Sequence, residues 1–264
     1  MTSPGKLPWR AALALFIGCF ATVATPCSVS RVFDSPFSLD NYAFYGEVIG
    51  HVSMRIPGCE NVPEPDRCAS SWGLRIRILE PLNVPARNLS EVDYFNFAND
   101  SACQPLPVPQ KNVQLKYPVG TRIGLAARLF TWDEPVPRRI RLTSLRSILG
   151  EAIVVLPKDA DLRKLAATPF DYASVPRGRD YTIPLEDEAR LGFELSRDTI
   201  RLHDSRTEKE ALAILLRMAS VNLMGGIYED ENYSALEQLV DQYLPTPAVR
   251  EDFLRRLRQD SRSP

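Results

Sequence analysis

Two histidines, His51 and His203, are the side chains of this chain best suited to proton transfer near neutral pH. A Ser-His-Asp or Cys-His site would need one of them beside an activated nucleophile. No Gly-x-Ser-x-Gly sequence accompanies them, and the chain has no Gly-rich phosphate-binding loop. We therefore expect both histidines to be polar residues at element boundaries, and we predict neither a catalytic site nor a bound cofactor.

Two acidic runs, Glu186-Asp187-Glu188 and Glu229-Asp230-Glu231, offer carboxylates for other chemistry. A glycosidase needs two carboxyl groups across a cleft, and calcium needs a regular series of oxygen ligands. The oxygen-bearing residues after Glu229 do not follow the spacing of an EF-hand loop. We interpret both runs as solvated acidic turns, and we predict no metal site.

The cysteines divide into one near the start of the chain, Cys19, and four later ones, Cys27, Cys59, Cys68 and Cys103. The separation between Cys59 and Cys68 does not match the close pairs of structural zinc sites. An even number of cysteines in an exported chain favours disulfides, and four cysteines allow three pairings. Closeness in sequence favours a Cys59–Cys68 bridge, which would close the Pro-rich loop between these residues.

The first residues have the organisation of a secretory signal peptide. Lys6 and Arg10 precede an apolar run without charges, residues 11–24, which ends in small residues. The run is short for a transmembrane helix, so we predict a signal peptide at residues 1–24 and export to the periplasm or the extracellular space. Alternatively, residues 15–19 are similar to a bacterial lipobox, which would lead to lipidation of Cys19.

The formal charge of the 264-residue chain is −1. A protein that binds nucleic acid generally has a basic face, so this near balance argues against nucleic acid as a partner. No apolar stretch after the signal peptide is long enough to span a bilayer. We therefore expect membrane contact only through the signal peptide or through a lipid anchor.

Residues 25–157 are predicted to form a β domain. The predicted strands are residues 42–49, 74–78, 92–97, 122–129 and 139–142. In the fourth of these, the alternation of apolar residues with arginines places Ile123, Leu125, Ala127 and Leu129 on the inner face. About five strands separated by Pro-rich loops favour a small barrel or sandwich.

Residues 158–264 are predicted to form a mainly helical module. Capping boxes at 207–210 and 234–237 begin two helices, of which the first continues to Met224. Thr246 followed by Pro247 begins a third helix. Residues 158–200 have no clear pattern: one or two helical turns are expected at 161–167, and a loop is expected at 169–184.

The first half, residues 27–145, resembles the netrin-like domain, which is the OB-type barrel of tissue inhibitors of metalloproteinases and of related exported bacterial proteins. The resemblance rests on Cys27 near the mature N-terminus, on the strand from Ala43 to Val48, and on Cys103 ahead of a strand that Gly120 introduces. It implies an OB-like barrel and a Cys27–Cys103 disulfide. The Cys-x-Cys opening of the inhibitors is absent, since Ser28 and Val29 follow Cys27, and zinc-chelating inhibition is not expected.

Together these features predict an α+β protein with an N-terminal OB-like β-barrel and a small C-terminal helical module. We expect an exported, non-catalytic binding protein that recognises a protein or an envelope component through the barrel. Surface aromatic residues such as Tyr45 and Trp72 are the candidate contacts. The alternatives are a secreted hydrolase with a site at the junction of barrel and helices, and a lipid-anchored structural protein of the envelope.

Overall fold

A computed structural model of the chain describes residues 39–54, 70–96, 98–99, 105–106, 108–129, 140–144, 152–174, 185–220 and 229–260. These residues have a mixed α+β fold, which confirms the predicted class. The strands are β1 (Tyr42–Met54), β2 (Ser71–Pro81), β3 (Glu91–Phe95), β4 (Ala98–Asn99), β5 (Pro105–Leu106), β6 (Arg122–Leu129), β7 (Arg141–Ser144) and β8 (Ala152–Leu156). The helices are α1 (Val84–Arg87), α2 (Gln110–Lys116), α3 (Leu162–Ala167), α4 (Leu185–His203), α5 (Glu208–Ser220), α6 (Glu229–Tyr243) and α7 (Pro247–Asp260).

Five strands are joined by a ring of hydrogen bonds. The order is β1–β2–β3–β7–β6, and β6 pairs again with β1. Strands β3 and β7 are parallel, whereas the other neighbours in the ring are antiparallel. Strand β8 extends the sheet beyond β6. The ring pairs each of its five strands on both sides, which removes exposed backbone donors and acceptors from the edges.

The interior of the ring is an apolar core produced by the alternation of side chains along the strands. Ile76, Leu125 and Leu142 are fully buried in it. The predicted inner positions Ile123, Leu125 and Ala127 of β6 are confirmed. The prediction for Leu129 was wrong: this side chain is 43% exposed, because it lies at the last residue of β6, where the strand leaves the core.

The outer side of β6 and β8 is covered by helix α4. Phe193 of this helix packs on Gly124, where a Cβ atom would lie 2.7 Å from the Cζ atom of Phe193. The absence of a side chain at this position therefore allows the helix to approach the sheet closely. Ala43 and Ala126 belong to the same interface and are fully buried.

The helical module contains one more long helix than the sequence predicted, because α4 was missed. The capping box at Thr207 is confirmed: its Oγ1 atom accepts the backbone N–H of Glu210 at 3.2 Å. The start predicted at Ser234 was wrong, since α6 already begins at Glu229. Helix α7 begins at Pro247 as expected. None of the helices within the described residues combines the length with the apolar character that crossing a bilayer requires.

The two acidic runs are also corrected by the structure. Residues 186–188 and 229–231 lie in the first turns of α4 and α6, where solvated turns between elements had been expected. Acidic residues are favourable at a helix N-terminus because of the helix dipole.

Candidate functional site

Helix α4 lies between the strand ring and the other helices, and every residue from Leu191 to Ile200 is buried. The buried polar residues of this stretch are Glu194, Ser196, Arg197, Asp198 and Thr199. A buried charge is stable only when it is paired and hydrogen-bonded. The junction of sheet and helices, where the hydrolase alternative would place its site, is therefore occupied by a charged cluster.

Arg197 connects this cluster to the sheet. Its Nη1 atom donates to the Tyr45 hydroxyl at 3.1 Å and to the Leu165 carbonyl at 3.0 Å, and its Nη2 atom donates to the Thr168 carbonyl at 3.0 Å. The Oε2 atom of Glu194 lies 2.7 Å from Nη2, as an ion pair without the alignment of a hydrogen bond. Burial raises the pKa of the Glu194 carboxyl, against the opposing effect of Arg197.

Asp198 is the most deeply buried charge and connects three elements. Its Oδ2 atom accepts the Tyr172 hydroxyl at 3.0 Å, and its Oδ1 atom accepts Arg201 Nη1 at 3.2 Å. Arg217 of α5 lies 3.8 Å from the same carboxylate. Burial, together with the neighbouring Asp198 charge, raises the pKa of Tyr172 well above its ordinary value, so this phenol stays protonated and donates.

Two of the arginines of α4 also cap the C-terminal end of α3. Arg197 and Arg201 both donate to the Thr168 carbonyl, and they bond the Leu165 and Ala166 carbonyls respectively. The last carbonyls of a helix lack partners within the helix, and cations are favourable there. The geometry of the cluster thus ties β1, α3, α4 and α5 together. It was missed by sequence reasoning, although the i, i+3 pairs Glu194/Arg197 and Asp198/Arg201 could have indicated a helix.

The two histidines form their hydrogen bonds outside this junction cluster. The Nε2 atom of His51 donates to the Tyr117 carbonyl at 2.9 Å, at the end of the ring that α2 covers. The Nδ1 atom of His203 lies 3.1 Å from the Tyr243 hydroxyl on an exposed surface. Each bond joins two elements, β1 with the end of α2 and α4 with α6.

Tyr45 is not a surface residue, so the prediction that it contacts a partner was wrong. Only 1% of it is exposed, its ring centroid lies 5.5 Å from that of Phe193, and its hydroxyl accepts from Arg197. The outer face of β1 at this position is covered by α4. Trp72 is half-buried at the start of β2, where it packs against the core of the ring.

The outer face of β1, β2 and β3 carries two rows of alternating charge, which we call the charged face. One row consists of Arg122, Glu47, Arg77 and Glu91, and the other consists of Arg75, Asp93 and Arg141. Residues of opposite charge lie directly across neighbouring strands, which stabilises the register. In the second row, Arg75 binds Asp93 through two hydrogen bonds, of 2.9 and 3.1 Å.

A separate apolar groove lies between α5 and α7. It has a volume of about 340 Å³. Its lining consists of Leu212, Leu216, Ala248, Val249, Asp252, Phe253 and Arg256. Leu216 is 42% exposed in it, and the charged residues Asp252 and Arg256 pair at its rim. The groove is therefore an apolar concave surface, distinct in chemistry from the charged face.

The cysteines Cys19, Cys27, Cys59, Cys68 and Cys103 lie outside the described residues, so the two predicted disulfides and the lipidation of Cys19 stay predictions. Within the residues that the structure describes, no three His, Cys, Asp or Glu side chains gather as a metal site would require. Comparison with known protein families, curated proteins and solved structures finds no match to this chain.

Proposed function

We propose that this chain is an exported, non-catalytic binding protein that recognises a protein or an envelope component through the outer face of an OB-like barrel. The observation that carries the proposal is the charged face, on which strands β1 to β3 and their ring neighbours present two ordered rows of arginines and carboxylates. Fixed charges of both signs favour a complementary, structured partner over a uniformly charged one.

The OB-like barrel is supported by the order of the strands. A closed ring of five strands with one parallel pair, β3 and β7, fits a five-stranded Greek-key barrel. Such barrels commonly use the face of their second and third strands for ligands. Arg75 and Arg77 of β2 lie opposite Asp93 and Glu91 of β3 on this face.

A capture experiment tests the proposal. The chain is immobilised after export and exposed to the envelope fraction of its own source, and the retained proteins are compared for wild type, Arg77→Gln and Arg163→Gln. Arg77 is exposed in the middle of the charged face, whereas Arg163 is an exposed arginine on α3 that serves as the matched control. We expect a partner that wild type and Arg163→Gln retain and that Arg77→Gln loses.

Two results would contradict the proposal. If Arg77→Gln retains every partner, the charged face is not the binding surface. If the partner is lost instead with Leu216→Ser, binding belongs to the groove between α5 and α7. Thermal melting of each variant by circular dichroism establishes that a lost partner does not reflect a lost fold.

Export and the disulfides form the second part of the proposal. If the chain is cleaved after Ala24, its intact mass is that of residues 25–264. If the bridges Cys59–Cys68 and Cys27–Cys103 both form, this mass is lower by four hydrogens than that of the reduced chain. Intact mass spectrometry of the exported protein before and after reduction tests the cleavage and the number of bridges, and peptides from an unreduced digest test which cysteines are paired. A lipid-modified Cys19 would favour the anchored envelope protein, and a chain that begins at Met1 would exclude export with cleavage.

A further inference from the structure

A second surface lies where α2 turns into β6, and we call residues 110–120 the α2 tip. Every residue from Gln110 to Val119 is exposed except Val113 and Tyr117. Leu115 is 71% exposed and Val119 is 61% exposed, which places both among the most exposed large apolar side chains of the described residues. Isolated apolar residues on a surface need no explanation, but two on one short projection do.

The backbone holds this tip in place. Tyr117 is 6% exposed, its carbonyl accepts from His51, and its N–H donates to the Val113 carbonyl at 2.9 Å. The N–H of Gly120 donates to the Val48 carbonyl of β1 at 2.7 Å. These bonds hold both ends of the turn on the ring, and Leu115 and Val119 remain exposed in this arrangement.

The turn itself projects Val119 outward. The N–H of Thr121 donates to the Pro118 carbonyl at 3.0 Å, and Gly120, at the third position, has a φ of 88°. These are the features of a type II turn, which places a positive φ at this position and favours glycine there. Val119 therefore occupies the second position of a tight turn, where it is 61% exposed.

The charges within the tip itself are of one sign, and Glu47 of β1, near its far end, lies across from Arg122. Residues 101–132 contain no Asp or Glu, and Lys111 and Lys116 on α2 are both exposed. The ammonium of Lys116 lies 5.2 Å from the centre of the Tyr117 ring, close to the apolar side chains. Exposed aliphatic side chains flanked by lysines and without carboxylates are complementary to an anionic, partly apolar surface.

From this combination we propose that the α2 tip contacts an anionic lipid bilayer. Exposed aliphatic side chains on a short helix and the tight turn after it suit the boundary between lipid headgroups and acyl chains, into which such residues can enter. Lysines beside them remain at the level of the anionic headgroups, which attract them. The contact is peripheral and reversible, and it does not depend on the charged face, on the signal peptide or on a lipid anchor.

The experiment is flotation of the purified full chain with vesicles of phosphatidylcholine alone and of phosphatidylcholine mixed with phosphatidylglycerol. We expect weak binding to the mixed vesicles only, and we expect added salt to reduce it. Leu115→Ser with Val119→Ser should lower the partition coefficient about tenfold, because two apolar side chains no longer leave water. Lys111→Gln with Lys116→Gln should abolish the preference for phosphatidylglycerol.

The matched control is Val84→Ser with Val155→Ser, which removes two equally aliphatic side chains, 66% and 55% exposed, from other surfaces. This control should bind the mixed vesicles as wild type does. The proposal is wrong if wild type does not float with the mixed vesicles, if the tip variants float as wild type does, or if the control loses binding as strongly as Leu115→Ser with Val119→Ser. None of these results would contradict the proposal that the charged face binds a protein partner.

Discussion

The interior of the strand ring and the junction under α4 both contain fully buried side chains, yet they are built from opposite chemistry. In the ring, Ile76 and Leu125 have no exposed surface and belong to one cluster of apolar side chains. In the junction, Asp198 has no exposed surface either, and it is held by a tyrosine and two arginines. Burial alone therefore does not say what stabilises a region of this protein.

The two regions should respond differently to substitution. In an apolar core, loss of a side chain costs free energy in proportion to the methyl groups removed and the cavity left behind. In a buried ion cluster, loss of one partner leaves the others charged and unpaired, which costs more than the pair itself contributes. The predictions below compare these two costs.

The largest effect is expected for Asp198→Ala. Removal of this carboxylate takes away the negative charge that Arg201 and Arg217 face. It also removes the acceptor of the Tyr172 hydroxyl. We expect the free energy of unfolding to fall by about 3–5 kcal/mol. Urea denaturation followed by circular dichroism measures it.

Asp241→Ala is the control for this loss. Asp241 lies 3.4 Å from Arg250, but its side chain is 65% exposed. Its replacement should change the free energy of unfolding by no more than about 0.5 kcal/mol. Equal losses for Asp198→Ala and Asp241→Ala would mean that the junction is hydrated, in contrast to the ring.

Leu125→Ala tests the ring and should cost somewhat less, about 2–4 kcal/mol. Its loss creates a cavity in the core of the ring without leaving a polar group unpaired. The cost should accordingly be independent of salt and of pH in the neutral range. A strong dependence of this cost on pH would show that the packing of Leu125 changes the pKa of a titrating group, and hence that the ring core and the charged residues are coupled.

The ring was largely predictable from the sequence, and its physical signal is the alternation of side chains. Arg122 to Leu129 forms a strand with the bounds that the alternation indicated. In β2 the same alternation puts Arg75 and Arg77 on the face opposite Leu74 and Ile76, which is the outer face of the ring. It could not predict their partners, because the register between strands is set by long-range packing that one strand does not encode.

The junction was not predictable in the same way. Residues 191–200 of helix α4 are buried on all sides. Leu191, Leu195 and Leu202 recur at helical spacing and join one apolar cluster, so the sequence contained a signal for the helix but none for the burial of its charged residues. Glu194, Arg197 and Asp198 resemble a solvated helix in sequence, and only tertiary contacts to Tyr45 and Tyr172 give them their role. The same contacts explain why Tyr45, expected at the surface, is buried.

The pH dependence of stability offers a finer comparison through Glu194→Gln. Burial raises the pKa of Glu194 above its ordinary value of 4.5. The folded state therefore holds this proton to a higher pH than the unfolded state does, and wild type loses stability as the pH rises from 4.5 through the raised pKa. Each unit of pKa difference corresponds to about 1.4 kcal/mol.

Glu194→Gln removes this titration. The stability of wild type relative to the variant should thus decline over that interval and become constant above it. Denaturation midpoints at a series of pH values measure the difference. A relative stability that rises with pH would mean that Arg197 outweighs burial and lowers the pKa of Glu194.

The smallest effect is expected for the Arg75–Asp93 pair on the charged face, and it completes the comparison. The pair is bidentate, but 37% of the Arg75 side chain is exposed, so water competes with Asp93 for the guanidinium. A double-mutant cycle with Arg75→Ala and Asp93→Ala should give a coupling energy of about 0.5–1 kcal/mol, which salt reduces. The same cycle on Glu194 and Arg197, whose side chains are 9% and 5% exposed, should give a larger coupling energy that salt hardly changes, because buried charges are screened less. Equal coupling energies with equal salt dependence would contradict the distinction between a hydrated charged face and a dry charged junction.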